Sequence, residues 1–139
     1  MAARPKTFKY GTTPVPEILS IKVKGSTTCY QGNIAVINAG YAAEGSAATG
    51  LVAVGRIRKT VDNSTGSDGD KRVDVEQGCF NWDNATSTDA CTQAEVGTAV
   101  YILDAKTVTK TSTGHSKAGM LLDILDNGQC VVQMGLGVV

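Results

Sequence analysis

One imidazole is available for acid–base chemistry in this sequence, that of His115. A Ser–His–Asp or Cys–His arrangement would need it as the base, held in place by a third group. It sits between Gly114 and Ser116 in a Thr/Ser/Gly-rich stretch, where a side chain has no apolar shell and is expected to be exposed and inert. Asp123 and Asp126 are two carboxylates close enough in sequence to work as a pair. They flank a turn, however, where Asp commonly serves backbone geometry and solubility. The residues therefore predict no catalytic site, and the chain is expected not to be an enzyme.

Metal and cofactor chemistry is equally poorly supplied. Cys29, Cys79, Cys91 and Cys130 include no C-x-x-C pair, which argues against zinc. The short interval makes a Cys79–Cys91 bridge conceivable, but in a reducing compartment the expected state is buried thiols acting as small hydrophobes. The loop Asp62–Asp70 offers Asp62, Ser64, Asp68 and Asp70 as oxygen donors but lacks the spaced ligands and terminal Glu of an EF-hand. Gly66-Ser67-Asp68-Gly69 has no following Lys-Ser/Thr, so it is no phosphate cradle. No metal, no cofactor and no small-molecule substrate is expected. Asn63-Ser64-Thr65 and Asn84-Ala85-Thr86 match the glycosylation sequon by chance, since no secretory leader is evident.

Charge points to protein partners. The formal net charge is zero, which argues against nucleic acid. Its distribution is uneven: residues 1–28 carry five basic side chains and one carboxylate, and the remainder eight and twelve. Over residues 60–104, nine carboxylates face only Lys71 and Arg72. A basic front on an acidic body suits docking between copies or onto a larger assembly. Arg56, Arg58 and Lys59, beside Ile57, form a second basic group able to grip an acidic neighbour. No run approaches the ~20 apolar residues of a membrane helix. The N-terminus lacks the apolar core of a signal peptide, so folding in a cytosol and no membrane partner are expected.

The elements that would carry these residues are strands. The 139 residues suit one domain, rich in Gly, Thr and Val and only 5% aromatic. Residues 1–17 hold all three prolines and few apolar anchors, which predicts an extended N-terminal arm ahead of a single β-rich domain over 18–139. Leu19, Ile21 and Val23 alternate with Ser20, Lys22 and Lys24 as in a half-buried strand, and Gly25–Thr28 reads as a turn. Ile34, Val36 and Ile37 mark a second apolar run, 39–50 a loop or weakly packed strand, and Leu51–Val61 a longer strand with a bulge at Gly55. Residues 62–70 read as an exposed loop, followed by a short strand at Val73 and Val75. The polar segment 79–91 contains Phe80 and Trp82, and Ala90–Val96 is the best helix candidate. Ala99–Leu103 and Thr107–Thr111 pair around Asp104-Ala105-Lys106. Asn127-Gly128 joins the last two apolar runs in a tight hairpin. Without helical periodicity over three turns, the expected class is all-β, a small β-barrel or β-sandwich with at most one short helix.

Two stretches carry a family resemblance. Thr92-Gln-Ala-Glu-Val-Gly-Thr-Ala-Val-Tyr-Ile-Leu-Asp-Ala-Lys-Thr-Val is one, and Ser116-Lys-Ala-Gly-Met-Leu-Leu-Asp-Ile-Leu-Asp-Asn-Gly-Gln-Cys-Val-Val-Gln-Met the other. Together they resemble the C-terminal half of the head-decoration, or capsid cement, proteins of tailed bacteriophages. Gly97, Val100, Tyr101, Thr107, Val108, Ala118, Gly119 and Gly128 fill that family's strand and turn positions, and Ala53-Val-Gly-Arg56 with Asp62-Asn63 resembles its middle section. The first 50 residues match poorly, and the segment 79–91 does not map. The resemblance implies a barrel or tulip-like body, assembled as a homotrimer or dimer on the capsid exterior of the virion after synthesis in the host cytoplasm. Its partners would be the major capsid protein and other copies of itself. It also implies an N-terminal arm that contacts them, for which Arg4, Lys6, Phe8, Lys9 and Tyr10 combine charge with aromatic anchoring, with Arg56 and Arg58 as body contacts. The alternatives are another phage structural module (tail tube, connector or fibre-associated) and a carbohydrate-binding module using Phe80, Trp82 and Tyr101 as its platform.

Overall fold

The computed structural model describes residues 18–136. In chain order the strands are β1 (Ile18–Lys22), β2 (Thr27–Cys29), β3 (Ile34–Asn38), β4 (Tyr41–Glu44), β5 (Val52–Ile57), β6 (Val61–Asn63), β7 (Arg72–Glu76), β8 (Gly78–Asn84), β9 (Ala99–Asp104), β10 (Thr107–Thr109), β11 (Lys117–Ile124) and β12 (Cys130–Met134). The fold is all-β. Strands β1-β7-β5-β3-β4 form an open sheet, β10-β8-β12-β11-β9 a closed barrel, and β2-β6 a two-stranded ribbon. The barrel closes because β10 pairs antiparallel with β9 on one side and parallel with β8 on the other.

The period-two side-chain alternation of a strand gives the open sheet two packed faces. Ile34, Val36 and Ala43 join Phe80, Trp82, Val100, Ile102, Val108, Leu121 and Val132 in the core shared with the barrel. Ala35, Ala42, Val54, Ile57, Val73 and Val75 point the other way and pack with Val23 and Cys29 in a second core. Being packed on both sides explains why β3 reads as an apolar run and not as an alternation.

Several expectations change. Residues 39–50 contain strand β4, with Ala42 and Ala43 buried on opposite faces. Thr27 and Thr28, expected as the end of a turn, belong with Cys29 to strand β2 on the ribbon. The long strand expected over Leu51–Val61 divides into β5 and β6. The unmapped segment 79–91 begins as strand β8, burying Phe80 and Trp82 and exposing Cys79, Asn81 and Asp83. Trp82 finds a partner for its indole N–H in the Met134 sulfur, 3.1 Å away, which makes a polar handle compatible with the core. The helix candidate Ala90–Val96 contains one 3-10 turn, Gln93–Glu95, and a second, Ser87–Asp89, precedes it. Thr92 and Glu95 form a capping box around the former.

The tight hairpin expected at Asn127-Gly128 is one residue longer than a two-residue turn. Asn127-Gly128 makes a three-residue loop: the Gly128 N–H donates to the Leu125 carbonyl at 2.8 Å, and only Gly128 (φ +89°) is left-handed. The two-residue turn with both central residues left-handed lies instead at Ala39 (φ +51°) and Gly40 (φ +92°), between the paired Asn38 and Tyr41. The bulge expected at Gly55 is present, as the β3–β5 register shifts between Ala35/Gly55 and Val36/Ala53.

Candidate interaction surface

Among the described residues, Arg56 and Arg58 are the sequence-derived contact residues, and they meet at one carboxylate. The register of β5 on β7 puts Arg56 opposite Glu76. The Arg56 guanidinium donates to Glu76 Oε2 from Nη2 at 2.9 Å and from Nε at 3.2 Å. Arg58 Nε lies 3.7 Å from Glu76 Oε1. Both Arg side chains remain 45% exposed, so the pair adds little stability. Two guanidiniums share the Glu76 carboxylate, and with the exposed Lys59 beside them three basic side chains stand against Glu76 and Asp74, whose carbonyl accepts the Arg58 N–H, a small positive excess. The Arg56 guanidinium also lies 4.8 Å from the centre of the Phe80 ring and covers the outward edge of the barrel core.

Glu76 has a second ladder partner, Ile18, the first described residue. Residues 1–17 therefore join the body within one strand's width of the arginine patch. Ile18 is 45% exposed and, with Glu76, Gln77, Gly78, Cys79 and Phe80, lines a concavity beside it. Gln31, Gly32, Arg56, Ile57, Arg58 and Glu76 line a second concavity, so Glu76 borders both. Arg4, Lys6, Phe8, Lys9 and Tyr10, and the expected arm they belong to, lie outside the described residues.

The remaining candidates are held in structural work. His115 is half-buried, not exposed as expected, and its Nδ1 lies 2.9 Å from the Ile102 carbonyl, tying its turn to β9. Asp123 accepts the Ile124 N–H at 2.8 Å. In the 62–70 loop the carboxylates face backbone donors: Asp62 that of Ser64, Asp68 that of Gly25, Asp70 that of Ser67. Among the described residues no group of three His, Cys, Asp or Glu is arranged to hold a metal ion.

Cys29, Cys91 and Cys130 are buried thiols, whereas Cys79 is exposed. Burial, with the Glu44 charge adding to it, pushes the Cys29 thiol up to about 11. Of the three aromatics considered for a carbohydrate platform, Trp82 at 3% and Phe80 at 9% exposure are buried, and Tyr101 is half-buried. A concavity of about 670 Å³ does open between the ends of β8, β9 and β10 and the β11–β12 turn. It is lined by polar groups such as Asp83, Thr107, Asn127 and Gln129 and by no aromatic ring.

Sequence reasoning found the arginines but not Glu76, which it counted only among many carboxylates. The available signal was the period-two spacing of Arg72, Asp74 and Glu76 around Val73 and Val75, which places Glu76 on the wet face of a strand. Comparison with protein-family models, curated proteins and solved structures finds no match to this chain.

Proposed function

We propose that this chain is a structural virion protein that binds the outer surface of a bacteriophage capsid and cements the head shell. It would act as a homo-oligomer, with the major capsid protein as its partner. The observation that carries the reading is the convergence of its two sets of candidate contacts. The base of residues 1–17, at Ile18, and the Arg56–Arg58 pair flank the same residue, Glu76, although about 40 positions separate them in sequence. A positive patch beside an exposed apolar residue, at the foot of a basic leader, suits an acidic, partly apolar protein surface. The residues that carry the family resemblance lie mostly on β9, β10 and β11, so the barrel would be the common scaffold and the sheet corner the docking element.

Co-sedimentation of the purified chain with expanded empty phage shells tests this. Saturable binding is expected, weakening as salt screens the charges. Deleting residues 2–16, or the double substitution Arg56→Glu/Arg58→Glu, should reduce the affinity at least tenfold while the body still melts cooperatively. Unchanged binding by both variants, or no binding by the intact chain, would refute the reading.

A further inference from the structure

The concavity that Arg56, Arg58 and Glu76 share with Gln31 and Gly32 has a volume of about 380 Å³, and its walls are parts of the chain held firmly in place. One wall is the 30–33 connection from β2 to β3. The Gln31 N–H donates to Thr60 Oγ1 at 3.0 Å and the Gly32 N–H to the Ile57 carbonyl at 2.8 Å. The Tyr30 N–H and the Asn33 side-chain amide donate to Glu44 Oε2 at 3.0 and 2.6 Å. The other wall is the Arg56–Glu76 pair, in which Arg56 directs both Nε and Nη2 at Oε2.

Arg58 stands between these walls with its donors open. Its Nε lies 3.7 Å from Glu76 Oε1, beyond hydrogen-bond range, and its guanidinium makes no hydrogen bond among the described residues. The Gln31 side-chain amide makes none either. The backbone N–H groups of the lining are already used, that of Ile57 on the Asn33 carbonyl and that of Arg58 on the Asp74 carbonyl. What the concavity still offers a ligand is therefore a guanidinium fork and a side-chain amide. Two parallel N–H groups of a fork match the two oxygens of a planar carboxylate. A phosphate dianion fits less well, because Glu76 lines the site and Glu44 and Asp74 lie behind its walls.

We propose that Arg58 is the receptor for an Asp or Glu side chain of a partner protein, held by the guanidinium fork in this concavity. Glu76 is then the fixed counter-ion that keeps Arg56 in the wall and leaves Arg58 open. The inference rests on the capsid reading only for which protein presents the carboxylate. It also separates two residues that the charge pattern treats alike: Arg56 builds the site, and Arg58 makes the contact.

The test uses the full chain and the blocked peptide Ac-Gly-Glu-Gly-NH2, titrated at constant ionic strength while the arginine Nε–H resonances are followed by NMR. The Arg58 resonance should shift saturably and that of Arg56 much less. Ac-Gly-Gln-Gly-NH2 should produce no saturable shift, and inorganic phosphate should bind about threefold more weakly than the Glu peptide. Arg58→Lys keeps the charge and loses the fork, so it should weaken the peptide about fivefold and shell co-sedimentation by a similar factor, with Tm unchanged. Peptide binding at Arg58 by a chain that does not bind shells would support this inference and remove the capsid reading. Unchanged affinity of Arg58→Lys for the peptide would mean that charge alone acts, and would overturn the inference. So would phosphate bound as tightly as the peptide, or a homo-oligomer of this chain that dissociates on Arg58→Lys, since the occupant would then be a second copy.

Discussion

Gly55 lies flat against the backbone of Glu76: a Cβ built on it would collide with the Glu76 carbonyl oxygen and crowd its carbon at 2.8 Å. The bulged strand β5 can thus press onto β7 only because position 55 has no side chain, and that approach sets Arg56 opposite Glu76. The arginine patch therefore depends on a hydrogen atom on the neighbouring residue.

Gly55→Ala should be among the most damaging small substitutions in the chain. The colliding atom is backbone, so strands must separate, and a loss of about 3 kcal/mol is expected. Urea unfolding measures it. A variant within ~0.5 kcal/mol of the parent would mean that the β5–β7 contact is looser than described.

Asn63 ties the exposed loop to the body. It is 1% exposed, and its amide nitrogen donates to the carbonyls of Val23, Lys24 and Ser67. Its Oδ1 has no conventional donor and instead faces the Cα of Gly66, where a Cβ would clash with it. Asn63→Ala strips the Lys24 carbonyl of its side-chain donor, leaves the Val23 and Ser67 carbonyls with only the Gly69 and Asp70 N–H groups, and should cost about 2 kcal/mol. Asn63→Asp should be at least as harmful, since a carboxylate would face those same oxygens. Equal stability of Asn63→Ala and parent in thermal unfolding would rule this role out.

The Ala39-Gly40 turn invites a gain. Ala39 is exposed and left-handed, a conformation that costs an ordinary L-residue about 1 kcal/mol and that Asn tolerates. Ala39→Asn should therefore stabilise the fold by roughly 0.5–1 kcal/mol, and Asn-Gly is the favoured pair for such a turn. A shift of the urea midpoint to lower concentration would contradict the assignment.

Acid sensitivity should trace in part to two exposed carboxylates. Glu95 is held below its ordinary value by accepting the Thr92 N–H and hydroxyl, and Asp62 by hydrogen bonds from Ser64 and Thr28, with Lys71 adding to them. Both pKa values are lower folded than unfolded. Their stabilisation is then complete above the unfolded value of about 4 and is lost as pH falls through the folded values. The double variant Asp62→Asn/Glu95→Gln should lower Tm somewhat at neutral pH and converge with the parent in acid, so that the acid limb of a Tm-against-pH curve is flatter. An unaltered acid limb would show that other groups dominate it.

The strands beginning at Ile18, Ile34, Ala99 and Lys117 were legible because each carries its own alternation or apolar run and its own turn residues, which are local properties. So was the all-β class. Strand β8 was not, since Cys79, Asn81 and Asp83 dilute its composition and only the barrel shows that Phe80 and Trp82 face inward. Local sequence likewise placed Asn-Gly in a turn but could not choose the turn's length, which depends on the register of the flanking strands. The meeting of Ile18, Arg56, Arg58 and Glu76 is a long-range event. It follows from strand order, in which the packing of distant segments sets the partners, and no spacing along the chain encodes that.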